Sequence, residues 1–229
     1  MKILIFIDNL INTESLIYSL ENNNKIYYLF GYNRLFPKRF FIDILILLYK
    51  KKFRTLIYFL KKFVNKEMIF IKKKFIQNKG LDFINLHKPN VGIHNMGIIY
   101  RNNIIDACGM GILNAHIGKL PEMRGRSVFE WSILLGKEIG VSVFFLDNGI
   151  DTGKRLLFFT KFSYLNYSNL SKAKKAFFNF ALTNYVKAIK HIKKRNAILF
   201  NDISKGKRYY VMSNLMRGIV EDYYKHKVE

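Results

Sequence analysis

Apolar and polar residues alternate in blocks of strand and helix length at the start of the chain. Residues 2–7 are mostly apolar with several β-branched side chains, which is typical of a strand buried on both faces of a parallel sheet. Residues 15–22 have apolar positions at helical spacing, and residues 25–30 form a second apolar run. A strand, a helix and a strand within about 30 residues indicate a βαβ unit with a right-handed crossover.

The alternation of strand-like and helix-like segments continues to the end of the chain. This order predicts an α/β fold, a Rossmann-like, open, mostly parallel and twisted sheet flanked by helices. Ligands bind at the carboxyl ends of the strands in such sheets. The loop after the first strand lacks the G-x-G-x-x-G pattern, so no dinucleotide site is predicted there. We expect the remaining strands at residues 90–99, 111–115, 139–146 and 154–160, and helices at residues 104–107, 127–136, 168–194 and 213–226.

Ser127 and Glu130 have the spacing of a capping box at the start of the helix that contains Trp131. We expect the Ser127 side chain to cap this helix and the Glu130 side chain to reach back to it.

The order of strands and helices along the chain also predicts two parts. We expect a main domain over residues 1–165, which bears the functional site, and a helical C-terminal appendage over residues 166–229.

A basic segment is inserted in the main domain at about residues 37–77. Lys and Arg interrupt its apolar runs every few residues, and Asp43 and Glu67 are its only acidic residues. We interpret the segment as one or two amphipathic helices with a basic face. It suits docking on an anionic membrane or a phosphate-bearing polymer, or a subunit interface. We favour another interpretation, a helical layer that packs on the core and turns its basic face to solvent.

Composition narrows the class of protein further. Half of the 229 residues are hydrophobic, so the chain can bury a large core and is not disordered or fibrous. The formal net charge of +23 favours anionic partners, although a chain this rich in Lys, Asn, Ile, Phe and Tyr owes much of that charge to composition. Cys108 is the single cysteine, so an internal disulfide is excluded. We find no secretory signal and no uncharged apolar run of about 18 residues, and we expect a cytoplasmic protein.

Three polar residues stand where two predicted strands end. Asn114 and His116 close the strand predicted at residues 111–115, and Asp151 lies in a Gly-containing turn after the strand at residues 139–146. Because these strand ends share one edge of the sheet, we expect the three side chains to form one site. Asn donates a hydrogen bond without changing charge, His changes its protonation near neutral pH, and an adjacent carboxylate stabilises the protonated imidazole.

These residue types suit the transfer of an acyl group to an amine. As the amine attacks, Asn114 and protonated His116 can donate to the developing oxyanion. Asp151 can hold the imidazolium and relay the proton that the amine loses. No Ser or Cys is positioned as a nucleophile, so we expect direct transfer without an acyl-enzyme. No paired His or Cys spacing indicates a metal site.

The stretch from Asn114 to Gly153 resembles the formyltransferase family, which includes phosphoribosylglycinamide formyltransferase, methionyl-tRNA formyltransferase and the nucleotide-sugar N-formyltransferases. The matching positions are Asn114-Ala115-His116, Leu120-Pro121, Arg124-Gly125, Trp131, Gly140-Val141-Ser142 and the residues Asp-Asn-Gly-Ile-Asp-Thr-Gly at 147–153. The resemblance implies that Asn114, His116 and Asp151 are catalytic. It also implies that N10-formyltetrahydrofolate is the formyl donor.

The resemblance implies a folate site as well. The folate is expected to lie against the backbone of Met96, Gly97, Ile98 and Ile99, and under a loop that contains Leu146, Asp147 and Gly149. One departure from the family pattern is the segment HIGKLP, where Gly118 and Lys119 replace the usual residues after the histidine.

The amino group of a nucleotide-linked amino sugar is the acceptor that fits this chain best, because only a short segment follows the resembling stretch. A phosphoribosylglycinamide formyltransferase, a methionyl-tRNA formyltransferase-like enzyme, and a non-catalytic membrane-surface or binding protein remain alternatives. Arg124, Gly125 and Arg126 lie just past His116, and we expect them to contact the phosphate-bearing acceptor. We do not expect nucleic acid as a partner, do not favour peripheral membrane contact, and leave a homodimer open.

Overall fold

A computed structural model describes residues 1–10, 13–21, 24–33 and 36–228 and divides the chain into two compact units. The first unit comprises Met1–Leu113 and the second Asn114–Glu229. This division falls inside the main domain that we expected over residues 1–165. The expected boundary between residues 165 and 166 stays a prediction.

The first unit contains a parallel sheet with the strand order β3-β2-β1-β4-β5. The strands are β1 (Lys2–Ile7), β2 (Lys25–Tyr32), β3 (Met68–Lys72), β4 (Val91–Asn95) and β5 (Ile112–His116), and β5 continues into the second unit. The helices are α1 (Glu14–Glu21), α2 (Phe36–Tyr49), α3 (Phe53–Val64), α4 (Leu81–His87) and α5 (Asn102–Asp106). The βαβ start is confirmed, because β1 and β2 pair in parallel on either side of α1 in the chain.

Strand β3 shows that the expectation of a wholly helical segment at residues 37–77 is wrong. Met68–Lys72 pairs in parallel with β2 and buries Met68 and Ile71. The strand is short and runs into three consecutive lysines at residues 72–74, so its apolar residues resemble one face of a basic helix. Pairing with the buried strand β2 decides the outcome, because the sheet satisfies the backbone N–H and C=O groups.

Helices α2 and α3 confirm the helical expectation for the first part of the segment, but their apolar residues do not all face the core. Leu47 and Phe59 are buried. The exposed large apolar residues are Phe41, Ile42, Leu45, Leu48, Tyr49, Phe53, Ile57, Leu60, Phe63 and Val64. The solvent face of these helices is therefore apolar as well as basic, because the helices carry more apolar residues than their inward faces accommodate. Even so, no helix in the described part of the chain is long and apolar enough to cross a bilayer.

The second unit contains antiparallel strands and the longest helix. Its strands are β6 (Met123–Gly125), β7 (Gly140–Phe145), β8 (Arg155–Lys161), β9 (Leu199–Phe200) and β10 (Lys207–Tyr209), and its helices are α6 (Val128–Leu134), α7 (Leu170–Lys193) and α8 (Asn214–Val228). Strands β7-β8-β9 are antiparallel, and β6 pairs in parallel with β10. With the parallel sheet of the first unit, this arrangement confirms the expected α/β fold with a mostly parallel sheet flanked by helices.

The start of α6 differs from the expected capping box. Ser127 lies at the N-cap position with a left-handed backbone (φ 51°), and its side chain does not cap the helix. The Ser127 hydroxyl instead accepts a hydrogen bond from the backbone N–H of Met212. Glu130 is buried and forms an ion pair with Lys174 of α7. Tertiary partners of Ser127 and Glu130 therefore replace the local bonds that their spacing suggests.

The orientation of α3 can be tested by comparing two adjacent residues. Phe59 is 3% exposed and Leu60 is 47% exposed. We expect Phe59→Ala to lower the free energy of unfolding by about 3–5 kcal/mol, because it leaves a cavity under the helix. Leu60→Ala should change it by about 0.5 kcal/mol or less. Denaturant titration followed by far-UV circular dichroism measures both values, and equal losses for the two variants contradict this orientation.

Candidate active site

The end of strand β5 presents the first two of the three candidate catalytic side chains. Asn114 is half-buried and His116 is buried, and they flank Ala115. The backbone N–H of Ala115 donates to the hydroxyl of Tyr185 on α7 at 3.0 Å. Burial raises the pKa of the Tyr185 hydroxyl well above its usual value, although the bond to Ala115 lowers it, so the group stays neutral. Helix α7 therefore fixes the strand end between the two side chains.

The hydrogen bonds of His116 define the tautomer of its ring. Nε2 lies 2.8 Å from the backbone carbonyl of Met123, and a carbonyl oxygen only accepts. Nε2 therefore carries a proton in both the neutral and the charged ring. Nδ1 lies 3.5 Å from Oδ1 of Asp151, so it is the nitrogen at which the ring gains or loses a proton.

The Asp151 carboxylate joins the site from the turn that follows β7. Its Oδ2 accepts from the backbone N–H of Gly125 at 3.2 Å, and its Oδ1 lies 3.5 Å from Nδ2 of Asn114. The same Oδ1 faces Nδ1 of His116. Asp151 has a left-handed backbone with φ 46°, a conformation that Asp adopts more readily than most residues. The structure thus brings together the three residues that the sequence places on two different strand ends.

The turn that carries Asp151 is held by its own side chains. Asp147 accepts from the backbone N–H of Gly149 at 2.8 Å and from the hydroxyl of Thr152 at 2.6 Å. The guanidinium of Arg124 donates through Nε and Nη2 to the carbonyl of Ile150. Asp147 and Arg124 therefore position Asp151, a role that we did not assign to them from the sequence. Their expected contacts with cofactor and acceptor stay predictions.

The departure at Gly118 has a steric reason. A Cβ atom at this position would lie 2.6 Å from Cγ1 of Val128 and 2.9 Å from Nε2 of His116. The Gly118 carbonyl accepts from the hydroxyl of Ser142, and that hydroxyl accepts from the backbone N–H of Leu120. Ser142 is fully buried on β7. Glycine thus lets the chain pass close to His116, while Ser142 holds the chain on the sheet.

Residues near the C-terminus complete the backbone around the site, and the sequence did not indicate this. Strand β10 pairs Tyr209 with Gly125, and a Cβ on Gly125 would clash with the Tyr209 carbonyl. The indole N–H of Trp131 donates to the Tyr210 carbonyl at 2.9 Å. Asn201 donates through its side chain to the Gly153 carbonyl. One of the positioning residues has a local sequence signal: Tyr185 lies on a mostly apolar helix face, and its hydroxyl requires a partner when buried. No local sequence signal identifies the other positioning residues.

The stretch expected to contact the folate lies in the first unit, after strand β4. Met96 is buried, Gly97 and Ile99 are exposed, and Ile98 donates its N–H to the Met96 carbonyl. The Gln77 side chain donates to the Ile99 carbonyl at 3.0 Å. Leu146, Asp147 and Gly149 lie in the second unit, and Arg126 there is exposed. The binding roles of all these residues stay predictions.

The cluster of Asn114, His116 and Asp151 can bind and stabilise a group that develops negative charge. Nδ2 of Asn114 is a permanent donor, Nδ1 of His116 becomes a donor on protonation, and Oδ1 of the Asp151 carboxylate faces both nitrogens. Among the described residues no group of three or more His, Cys, Asp or Glu side chains is placed to hold a metal ion.

Comparisons with known proteins point to one family. Residues 94–163 match the formyl transferase family model. A methionyl-tRNA formyltransferase from Solibacter usitatus is 42% identical over 62 residues, which are 27% of this chain and 20% of that protein. The aligned part of this chain thus spans about a fifth of that curated relative's length. The match confirms the expected resemblance, and it includes Asn114, His116 and Asp151 in the residues of the family model.

Solved structures of formyltransferases have the same fold as this chain. A 4-N formyltransferase from Francisella tularensis matches with a TM-score of 0.62 at 16% identity, over 98% of this chain and 86% of the other. A formyltransferase from Anoxybacillus kamchatkensis, solved with UDP-4,6-dideoxy-4-formamido-L-AltNAc and tetrahydrofolate, matches with a TM-score of 0.55 at 17% identity. That match covers 91% of this chain and 85% of the other.

The tautomer of His116 is open to direct measurement. At a pH where the ring is neutral, we expect a protonated ¹⁵N resonance for Nε2 and an unprotonated one for Nδ1, because the Met123 carbonyl holds the Nε2 proton. Nitrogen-detected NMR correlations through the ring carbons distinguish the two, and His116→Gln identifies the resonances. A neutral ring protonated at Nδ1 contradicts the geometry.

The support that Tyr185 gives to β5 can also be tested. Tyr185→Phe removes the acceptor of the buried Ala115 N–H, so we expect the free energy of unfolding to fall by about 1–3 kcal/mol. Tyr210→Phe is the matched control, because that side chain is exposed, and its effect should stay within about 0.5 kcal/mol. Denaturant titration measures both, and an unchanged stability for Tyr185→Phe shows that the bond does not matter.

Proposed function

We propose that this chain, whose residues 94–163 match the formyl transferase family model, transfers a formyl group from N10-formyltetrahydrofolate to a primary amine. The observation that carries the proposal is the convergence of Asn114, His116 and Asp151, with atoms of all three within 3.5 Å of a neighbour in the set. Folate supplies the formyl group as an activated acyl carbon.

Asn114 and His116 stabilise the negative charge that the reaction generates. As the amine nitrogen bonds to the formyl carbon, the electrons of the C=O bond move onto its oxygen. Nδ2 of Asn114 and protonated Nδ1 of His116 donate hydrogen bonds to that oxygen. The charge returns to re-form the C=O bond as the bond from the formyl carbon to the folate nitrogen breaks. An oxyanion donor of this kind contributes about 10²–10³ in rate.

Asp151 takes up the proton that the attacking amine loses. Because Nε2 of His116 holds its proton against the Met123 carbonyl and Nδ1 is protonated while it donates to the oxyanion, the ring has no nitrogen free to accept a proton. The Asp151 carboxylate stands beside the ring and accepts the proton of the amine. The N–H of Gly125 orients the carboxylate through its other oxygen. The proton then passes to the nitrogen of the leaving folate.

The acceptor we propose is the amino group of a nucleotide-linked amino sugar, as used in polysaccharide biosynthesis. A fold relative was solved with such a formylated UDP-sugar and tetrahydrofolate, which supports this class of acceptor. Arg126 is exposed two residues beyond the Arg124 guanidinium, which is engaged with the Ile150 carbonyl. We therefore assign the diphosphate contact first to Arg126, with Arg124 and Gly125 shaping its loop.

Methionyl-tRNA is the second candidate acceptor. Several curated relatives that match this chain locally are methionyl-tRNA formyltransferases, one of them 42% identical over 62 residues, and the net charge of +23 suits a polyanion. The matched segment contains the catalytic cluster but only a fifth of the first relative's length, so it supports the reaction more than the acceptor.

One assay tests the reaction and separates the acceptors. Purified full-length chain is incubated with N10-formyltetrahydrofolate and, in separate arms, dTDP-, GDP- and UDP-linked amino sugars, phosphoribosylglycinamide and methionyl-tRNA. We expect tetrahydrofolate release with a nucleotide sugar, and kcat to fall about 10²–10³-fold in Asn114→Ala because one oxyanion donor is lost. Asn166→Ala, an exposed residue remote in sequence from the cluster, should keep full activity.

The arms of the assay have distinct meanings. Turnover with methionyl-tRNA alone overturns the sugar assignment but keeps the reaction. No turnover with any amine overturns the proposed activity. Full activity of Asn114→Ala shows that the assigned oxyanion donor is wrong.

A further inference from the structure

Helix α3 turns one complete apolar stripe to solvent. Phe53, Ile57, Leu60 and Val64 follow each other at intervals of four, three and four residues, which places them on one side of a helix. These side chains are 53%, 52%, 47% and 75% exposed, respectively. The opposite side holds the buried residues Thr55 and Phe59. The helix is amphipathic, yet it has an apolar surface on both sides.

Helix α2 repeats this arrangement and joins α3 through a turn of three lysines. Its exposed apolar side chains, Phe41, Leu45 and Leu48, have the spacing of one helix side, and Ile42 and Tyr49 lie next to them. The buried residues Asp43 and Leu47 lie on the other side. We call residues 41–66 the basic hairpin. Its connecting turn is Lys50-Lys51-Lys52, in which Lys51 has φ 53°.

The outward orientation of the stripe is fixed by the inner side of α3. Thr55 is hydrogen bonded to the Tyr18 hydroxyl at 2.9 Å, and the Tyr58 hydroxyl to that of Tyr28 at 3.0 Å. The Phe59 ring packs edge-on against the Tyr28 ring. The helix therefore cannot turn its apolar stripe inward without losing these buried contacts.

The charges around the stripe have one sign. Between Lys50 and Lys66 the hairpin has only basic charged residues, the exposed ones being Lys50, Lys51, Arg54, Lys61 and Lys66. The nearest acids in the sequence do not pair with the exposed cations of the hairpin: Asp43 is buried and accepts from the Leu10 N–H, and Glu67 pairs with the half-buried Lys62 and with Lys25. The hairpin thus presents exposed apolar side chains surrounded by cationic groups.

We propose that the basic hairpin docks on the surface of an anionic phospholipid bilayer. The stripe of α3 and the adjoining stripe of α2 enter the boundary between headgroups and acyl chains, while the lysines and Arg54 contact the lipid phosphates. Apolar area and electrostatic attraction together determine the binding strength of such interfacial helices. Neither helix spans the bilayer, in agreement with their lengths of 14 and 12 residues.

Charge is the reason that a bilayer fits better than a second copy of this chain. A symmetric dimer through the hairpin sets like charges of both copies against each other, which opposes association. An anionic bilayer neutralises the same charges and accepts apolar side chains of any shape. The proposal therefore replaces our earlier preference for a basic face that remains in solvent.

Vesicle co-sedimentation of the full-length chain tests the proposal. We expect binding to phosphatidylcholine vesicles with phosphatidylglycerol, and at least about tenfold weaker binding to pure phosphatidylcholine or in high salt. Ile57→Ser with Leu60→Ser should weaken binding to the anionic vesicles about tenfold or more. The matched control, Leu86→Ser with Leu215→Ser, also replaces two exposed leucine-sized residues and should bind as the wild type does.

A second pair of variants separates local charge from total charge. Lys50→Gln with Lys61→Gln should weaken vesicle binding on the order of tenfold. Lys175→Gln with Lys194→Gln, exposed residues near the start of α7 and just after its end, changes the net charge equally and should bind nearly as the wild type does. Equal losses in the two pairs overturn docking through the hairpin.

A measurement in which binding produces a signal distinguishes weak binding from loss of folding. The fluorescence emission of an environment-sensitive label on Ile57→Cys should shift to the blue with anionic vesicles, whereas that of a label on Leu86→Cys should not. The native Cys108 is buried, so the label is directed to the introduced cysteine. No shift at Ile57, or equal shifts at both sites, overturns the proposal. So does a hairpin-dependent dimer in light scattering together with no vesicle binding, which assigns the surface to a second copy.

Discussion

The candidate site depends on one carboxylate with three directed contacts. Oδ2 of Asp151 accepts from the Gly125 N–H, and its Oδ1 faces both the Asn114 amide and the His116 ring. A carboxylate is negatively charged and can accept hydrogen bonds at both oxygens. No neutral side chain of this size combines that charge with acceptors in both directions. Its left-handed backbone is maintained by the bonds of Asp147 and Arg124 to the same turn. The geometry of the candidate catalytic groups is therefore a property of this turn as much as of strand β5.

The carboxylate in turn connects the site to the C-terminal part of the second unit. Gly125, which orients Asp151, is itself paired with Tyr209 of strand β10, and it has no space for a side chain there. The Tyr185 hydroxyl of α7 holds the backbone between the other two candidate residues, Asn114 and His116. The residues after 165, which the sequence suggested were an appendage, thus contribute backbone support to the site. Residues in such a segment can change to alter substrate specificity only if they keep the contacts that support the site.

Sequence patterns predicted much of the fold and the three residues that the structure brings together at the candidate site, but little of what holds these residues in place. Strands β1 and β7 are mostly continuous apolar runs, helix α7 has an apolar stripe, and Asn114, His116 and Asp151 have chemical types that suggest a site. Strand β3 was missed because adjacent lysines resemble a helix face. The capping box at Ser127 was wrong because Met212 and Lys174 supply tertiary partners. Long-range hydrogen bonds and ion pairs of this kind produce no recognisable residue spacing in the sequence.

The basic hairpin is a second case in which local sequence patterns did not determine the structure. Its apolar periodicity predicted helices correctly, yet periodicity alone does not determine which apolar stripe faces the core. Tyr28 and Tyr58 decide this, since the contact of Tyr58 with the buried Tyr28 fixes the inner side of α3. Burial also raises the pKa of both phenols, so each stays a neutral hydrogen-bonding group at physiological pH. The remaining stripe must then face outward among lysines. A strongly basic composition by itself says little about function. It indicates a particular binding surface only where the fold places the basic residues around exposed apolar side chains.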